Sequence, residues 1–240
     1  MSPKFLKILI CLVFSNFLGA SITIDGKLSE PEWENAQLVR DFLTVYPNDK
    51  SSPKYKTEVR FFSNEKGIYF GFLNEQPIET HTPLKHPRDK WFVDADRNLI
   101  MIDFDANSNV GYEFSVTLGD TLRDAIWTNE NEKSGSWDAI WFAKTHQTEF
   151  AWYSEFFIPW EVAPMNVVAE KERSIKVSFF RKHHSENKFY NFPGLWSEQS
   201  PFLSKFSYLK VKNPENIKSS RVDYCLLYTS PSPRDSFASR

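Results

Sequence analysis

Four groups of residues in this chain are of types that can do chemistry. Asp103-x-Asp105-x-Asn107-x-Asn109 alternates oxygen-bearing side chains as calcium loops do, and Asp103, Asp105 and Asn107 are its candidate ligands. Ser108 stands where the sharp turn of an EF-hand needs glycine, so a polar turn closed by Asx hydrogen bonds is the competing reading. Glu113, Asp124, Asp138 and Glu155 are the carboxylates from which a glycosidase would draw the two that flank its scissile bond. No spacing pairs any two of them, and Glu113 and Glu155 alternate with apolar neighbours, which reads as solvent-facing charge on strands. His183 and His184 are adjacent and would point to opposite faces of a strand, while His81 and His86 share a loop without a third ligand nearby. Among the aromatics, Trp137 and Trp141 are four apart and read as a core pair, whereas Trp91 and Trp196 fall in loops, where a ring escapes the core and can meet a ligand. There is no P-loop, no dinucleotide fingerprint and no G-x-S-x-G elbow.

The elements that must position these residues are short and strand-like. Ser29-x-x-Glu32 with Pro31 predicts a capping box and a short helix through Trp33 and Ala36, and Pro159 to Ala163 predicts a second. Elsewhere the hydrophobic period is two. Residues 56–62 and 68–73 read as a hairpin around Gly67, and 99–104 as a buried strand. Val110, Tyr112, Phe114, Val116 and Leu118 alternate with Gly111, Glu113, Ser115 and Thr117 as in a half-buried strand. Further strands are expected at 122–127, 139–145, 150–158, 175–180 and 206–211. So many short strands separated by turn signals predict an all-β antiparallel sandwich with one or two short helices. The segment from Gln76 to Asp96 is long enough for a functional loop.

Composition agrees. The 240 residues include 22 Phe, 8 Trp and 9 Tyr against 8 Gly, an aromatic excess that suits pleated surfaces. A net charge of -2 lacks the basic surplus of a general nucleic-acid binder. Residues 1–20 read as a secretory signal peptide, with Lys4 and Lys7 before the apolar run from Ile8 to Phe14 and Leu18-Gly19-Ala20 as cleavage site. Residues 222–240, containing Cys225-Leu226-Leu227-Tyr228-Thr229-Ser230-Pro231-Ser232-Pro233-Arg234-Asp235, resemble translated sequencing-adapter read-through and are set apart from the fold. Both cysteines, Cys11 and Cys225, lie in those two segments, so the domain expected over 21–221 must be held by its apolar core alone.

The run Ile24-Asp25-Gly26-Lys27-Leu28-Ser29-Glu30-Pro31-Glu32-Trp33 resembles the opening of family-nine-like carbohydrate-binding modules. The likeness continues through Thr57-Glu58-Val59-Arg60, Ile68-Tyr69-Phe70-Gly71, Asp96-Arg97, Ile102-Asp103, Trp137-Asp138-Ala139-Ile140-Trp141 and Glu155-Phe156-Phe157-Ile158-Pro159-Trp160, and covers roughly residues 22 to 220. The resemblance implies a DOMON-like sandwich that binds a glycan or sugar end without cleaving it. Trp91, Trp196, Arg97, Glu113 and Trp127 are the residues assigned to such a site, with Glu113 standing where an arginine is expected. It also implies structural calcium, and an N-terminal module of an exported Gram-negative protein that continues into an outer-membrane β-barrel. Periplasm or outer membrane is then the expected location, with no transmembrane helix in the mature domain and no nucleic-acid partner. The alternatives are an interaction module that packs on its own barrel, and an accessory domain of a glycoside hydrolase.

Overall fold

The computed structural model describes residues 22–90, 94–196, 198 and 200–214. The segment expected to be a signal peptide, the segment 222–240 and Trp91 lie outside the described residues.

Among the described residues, thirteen antiparallel strands form two sheets. The smaller has the order β1 (Gln37–Val39), β3 (Thr57–Ser63), β4 (Gly67–Glu75), β10 (Ala151–Pro159), β9 (Phe142–Gln147). The larger runs β2 (Leu43–Tyr46), β12 (Lys188–Phe192), β11 (Glu172–His183), β5 (Arg97–Asp103), β6 (Val110–Thr117), β7 (Leu122–Thr128), β8 (Glu132–Ser134). The final strand, β13 (Ser207–Lys212), pairs with the first half of β11 while β12 pairs with its second half.

One face of each sheet makes the core. Phe61, Phe70, Phe72, Phe156 and Ile158 of the small sheet meet Ile100, Ile102, Phe114, Val116, Val177 and Phe179 of the large one. Phe179 stands edge-on to both Phe70 and Phe72, with centroids 5.7 and 5.9 Å apart. This interlock is the geometry that aromatic quadrupoles prefer. Trp141 joins the core and donates to Asp124 Oδ2 at 2.8 Å, and Trp137 packs on Tyr112 and Phe114. The expected core pair is present, although 135–141 is irregular chain that precedes β9.

The helices are corrected. Pro31–Asn35 and Trp160–Val162 are 3-10 turns, and Ser29 makes no cap, since the turn begins at Glu30 without a side-chain bond. Proline fixes the entry of each turn, but three to five residues repay too little of the cost of nucleating an α-helix. Four short strands, β1, β2, β8 and β12, carry no alternation long enough to be read in the sequence.

The start of the chain is tied down by a buried carboxylate. Glu155 Oε2 accepts the backbone N–H of Asp25 at 3.0 Å and of Gly26 at 3.1 Å. Gly26 has φ +85, and a Cβ there would lie 2.6 Å from the Thr145 carbonyl carbon, so only glycine fits. Two separated sequence motifs, one around Asp25-Gly26 and one beginning at Glu155, are therefore one contact. Glu155 is fully buried instead of solvent-facing. Burial pushes its carboxyl up to about 7, against the two backbone donors that favour the charged form.

Candidate functional site

The outer face of the large sheet carries the chemistry. Pairing registers put the side chains in rows across β12, β11, β5, β6 and β7. Phe189 pairs with Lys182, Lys182 with Arg97 and Arg97 with Thr117. One row along, Phe180, Leu99, Ser115 and Arg123 follow one another, and the next holds Met101, Glu113 and Ala125. Because strand side chains alternate, all of these share the face opposite the core.

That face is not the open surface that the alternation of 110–118 predicts. The whole of 111–117 is buried, Glu113 included. Residues 200–206 fold back over the sheet and bring Phe202, Leu203 and Phe206 onto Leu99, Met101, Trp127 and Phe180 as a second apolar cluster. Alternation reports one face packed on the core. It carries no information about a distant segment returning to cover the other face.

Glu113 sits at the centre of an ion cluster. Its Oε1 accepts from Arg123 Nη2 at 2.5 Å and Lys133 Nζ at 2.7 Å, and its Oε2 from Lys133 at 2.6 Å and Trp127 Nε1 at 2.9 Å. Burial opposes the charge, yet the two cations and these hydrogen bonds hold the carboxyl at about 2. Burial likewise lowers Lys133 to about 8, outweighing the attraction of Glu113. Arg97, partly exposed, is lowered to about 10 by burial and by the charge of Arg123, with Glu113 acting in the other direction.

Trp127 enters this site as a hydrogen-bond donor and not as a platform. Its ring is buried, with Phe202 5.3 Å from it and the Lys133 ammonium 5.2 Å away. Trp196 is partly exposed, as is Phe189, and Tyr46 beside them is exposed. It stacks on Tyr46 at 5.9 Å and meets the edge of Phe189 at 5.4 Å. The preceding turn is fixed by Asn191, whose Oδ1 accepts from the N–H groups of Gly194 and Leu195 at 2.9 and 2.5 Å. Gly194 has φ +89, which glycine adopts without cost. The structure thus gathers Arg97, Glu113 and Trp127 on one face and sets Trp196 at its β12 edge.

Arg123, Lys133, Lys182 and Phe189 were missed by the sequence reading. The alternation Arg123-x-Ala125-x-Trp127 against Leu122 and Ile126 is a signal that could have placed Arg123 beside Glu113. No local signal marks Lys133, which arrives on the three-residue edge strand β8.

The Asp/Asn turn lies at the other end of β5. Asp103 accepts from the N–H groups of Asp105 and Ser108, and Asn107 Oδ1 from that of Asn109. Asp105 accepts from Asn166 through both its backbone N–H and its amide, at 2.8 and 3.0 Å, and from Arg173 at 3.1 Å. The carboxylate oxygens are thus turned towards protein donors, and among the described residues no group of three or more His, Cys, Asp or Glu could hold a metal ion. This set does not fit a calcium loop. His183 is buried, and burial lowers it to about 4, while His81 bonds Gln147 and the Gln76 carbonyl.

No protein-family profile matches the chain, and no curated protein matches its sequence. Solved structures do. A family-nine carbohydrate-binding module from Caldicellulosiruptor kristjanssonii in complex with glucose superposes with a TM-score of 0.54 at 14% identity, over 82% of this chain and 95% of that one. The fold is that of the family-nine carbohydrate-binding modules. A family-nine module of the same organism in complex with cellotriose gives 0.53 at 12% identity, covering 80% and 90% of the two chains. A candidate carbohydrate-binding protein from Bacteroides uniformis gives 0.57 at 11%, covering 75% and 88%. In this family-nine-like sandwich, all-β and antiparallel as expected, the polar rows and Trp196 occupy the outer face of the larger sheet.

Proposed function

We propose that this protein is a non-catalytic carbohydrate-binding module that holds a sugar on the outer face of its large sheet. The observation that carries the reading is Trp196, anchored on Tyr46 and Phe189 and still partly exposed, at the edge of a row that leads through Lys182 to Arg97. An aromatic face accepts the C–H side of a pyranose, and planar polar groups beside it fix the hydroxyls. The neighbouring family-nine modules, crystallised with glucose and cellotriose, support the same ligand class.

The state of the carboxylates supports binding without cleavage. Hydrolysis needs an acid and a second carboxylate on either side of one bond. Glu113 is bonded to Arg123, Lys133 and Trp127. Asp124 alternates to the opposite face, where Trp141 and Arg88 hold it, and Glu155 lies in the other sheet. Calorimetric titration of the protein with glucose and cello-oligosaccharides tests the reading. Saturable binding that Trp196→Ala abolishes supports it, and equal binding by the variant removes Trp196 from the site. The signal-like start of the chain supports a periplasmic or outer-membrane location.

The alternative, an interaction module that packs on a barrel, draws on the small sheet, where Ile140 and Phe142 are exposed beside edge strand β9. Absence of sugar binding, together with affinity for a separately produced barrel segment, would favour it.

A further inference from the structure

The sugar face is unevenly charged. Arg97, Arg123, Lys133 and Lys182 stand on it, and the carboxylate among them is Glu113, which already serves Arg123 and Lys133. Asp94 and Asp96 act on Lys182, but Asp96 is buried and accepts from Thr82, His184 and Gln76, and the group stays net positive with both counted. Arg97 is the cation of this group with the least compensation. Its side chain makes no hydrogen bond or ion pair to another described residue, its cross-strand neighbour Lys182 is a cation, and it reaches solvent. A desolvated guanidinium beside like charges gains from an incoming anion, and its planar fork matches a carboxylate or sulfate in two parallel hydrogen bonds.

We propose that this face selects a sugar carrying an anionic group, a carboxylate or a sulfate, which seats on Arg97 with Lys182 beside it while Trp196 takes the ring. The inference rests on the sugar-binding reading and adds the charge of the ligand. The depression of Arg97 and Lys133 by burial agrees with it, since an anion at this place favours their protonated forms.

The test is calorimetric titration of the protein with matched ligands: glucose, glucuronic acid and glucose 6-sulfate, and galactose with galacturonic acid. An acidic member is expected to bind about tenfold or more tightly than its neutral counterpart, with the preference shrinking as salt is raised. The uronates and the sulfate separate the two sources of charge. Arg97→Gln should erase the preference, so that the acidic and neutral members of each pair bind alike. It should also keep its melting temperature, because it removes one of several crowded cations. Lys182→Gln, at a partly exposed position, should reduce the preference and serves as the second variant. Neutral sugars binding as tightly as acidic ones would overturn the charge selection and leave the sugar reading standing. A preference unchanged in both variants would overturn the assigned site, and no binding of any ligand would overturn both readings.

Discussion

Lys133 Nζ lies 2.7 Å from one oxygen of Glu113 and 2.6 Å from the other. A three-residue edge strand is thus fastened to the centre of the large sheet through one buried carboxylate. Glu113→Gln would leave Arg123 and Lys133 without their anion. Stability should fall by on the order of 3 kcal/mol, read by chemical denaturation at neutral pH. Because the folded carboxyl is held at about 2, below its ordinary 4.5, its contribution is present above about pH 4.5 and is lost as pH falls through about 2. Wild-type and variant stabilities should therefore converge on acidification, and a gap that persists at low pH would refute this account.

Glu155 shows the opposite sign. Its folded carboxyl is raised from 4.5 to about 7, so its contribution is full below about pH 4.5 and declines as pH rises through about 7. Glu155→Gln keeps an acceptor for Asp25 and Gly26 and removes the charge. Thermal melts above pH 7 should show the variant more stable, by about 3 kcal/mol as an order of magnitude, with little difference near pH 4.

Trp196→Ala should separate binding from folding. The ring is partly exposed and sits at the rim of its cluster, so the melting temperature should move little while sugar affinity is lost. A large loss of stability with unchanged affinity would assign Trp196 to packing alone.

The Asp103–Asn109 turn makes its own prediction about metal. Because the oxygens of Asp103 and Asp105 already accept from Ser108, Asn166 and Arg173, a chelator should leave the thermal transition unchanged. Asp105→Ala should lower the stability by about 1–3 kcal/mol, read by chemical denaturation, since Arg173 loses a charged partner in a buried setting.

Strand periodicity, the hairpin at Gly67 and the order of the motifs were sufficient to establish an antiparallel sandwich, because a sheet packed on one side imprints alternation on each strand. Arg97 and Glu113 were named from the family-nine resemblance, and in the structure their strand parity sets them opposite the core. What the sequence could not reveal is how the outer face is finished. The return of 200–206, the capture of Glu113 by Lys133 and the clasp of Asp25-Gly26 by Glu155 join positions 20 to 130 residues apart. Local propensity is blind to such contacts, and turning a strand's polar face from solvent into a buried ion cluster takes the packed chain. So the sequence by itself determined the strands and which side of each faces in. Only the tertiary structure decided that Glu113 and Trp127 are buried partners in one cluster, and that Trp196 and Arg97 are left partly exposed.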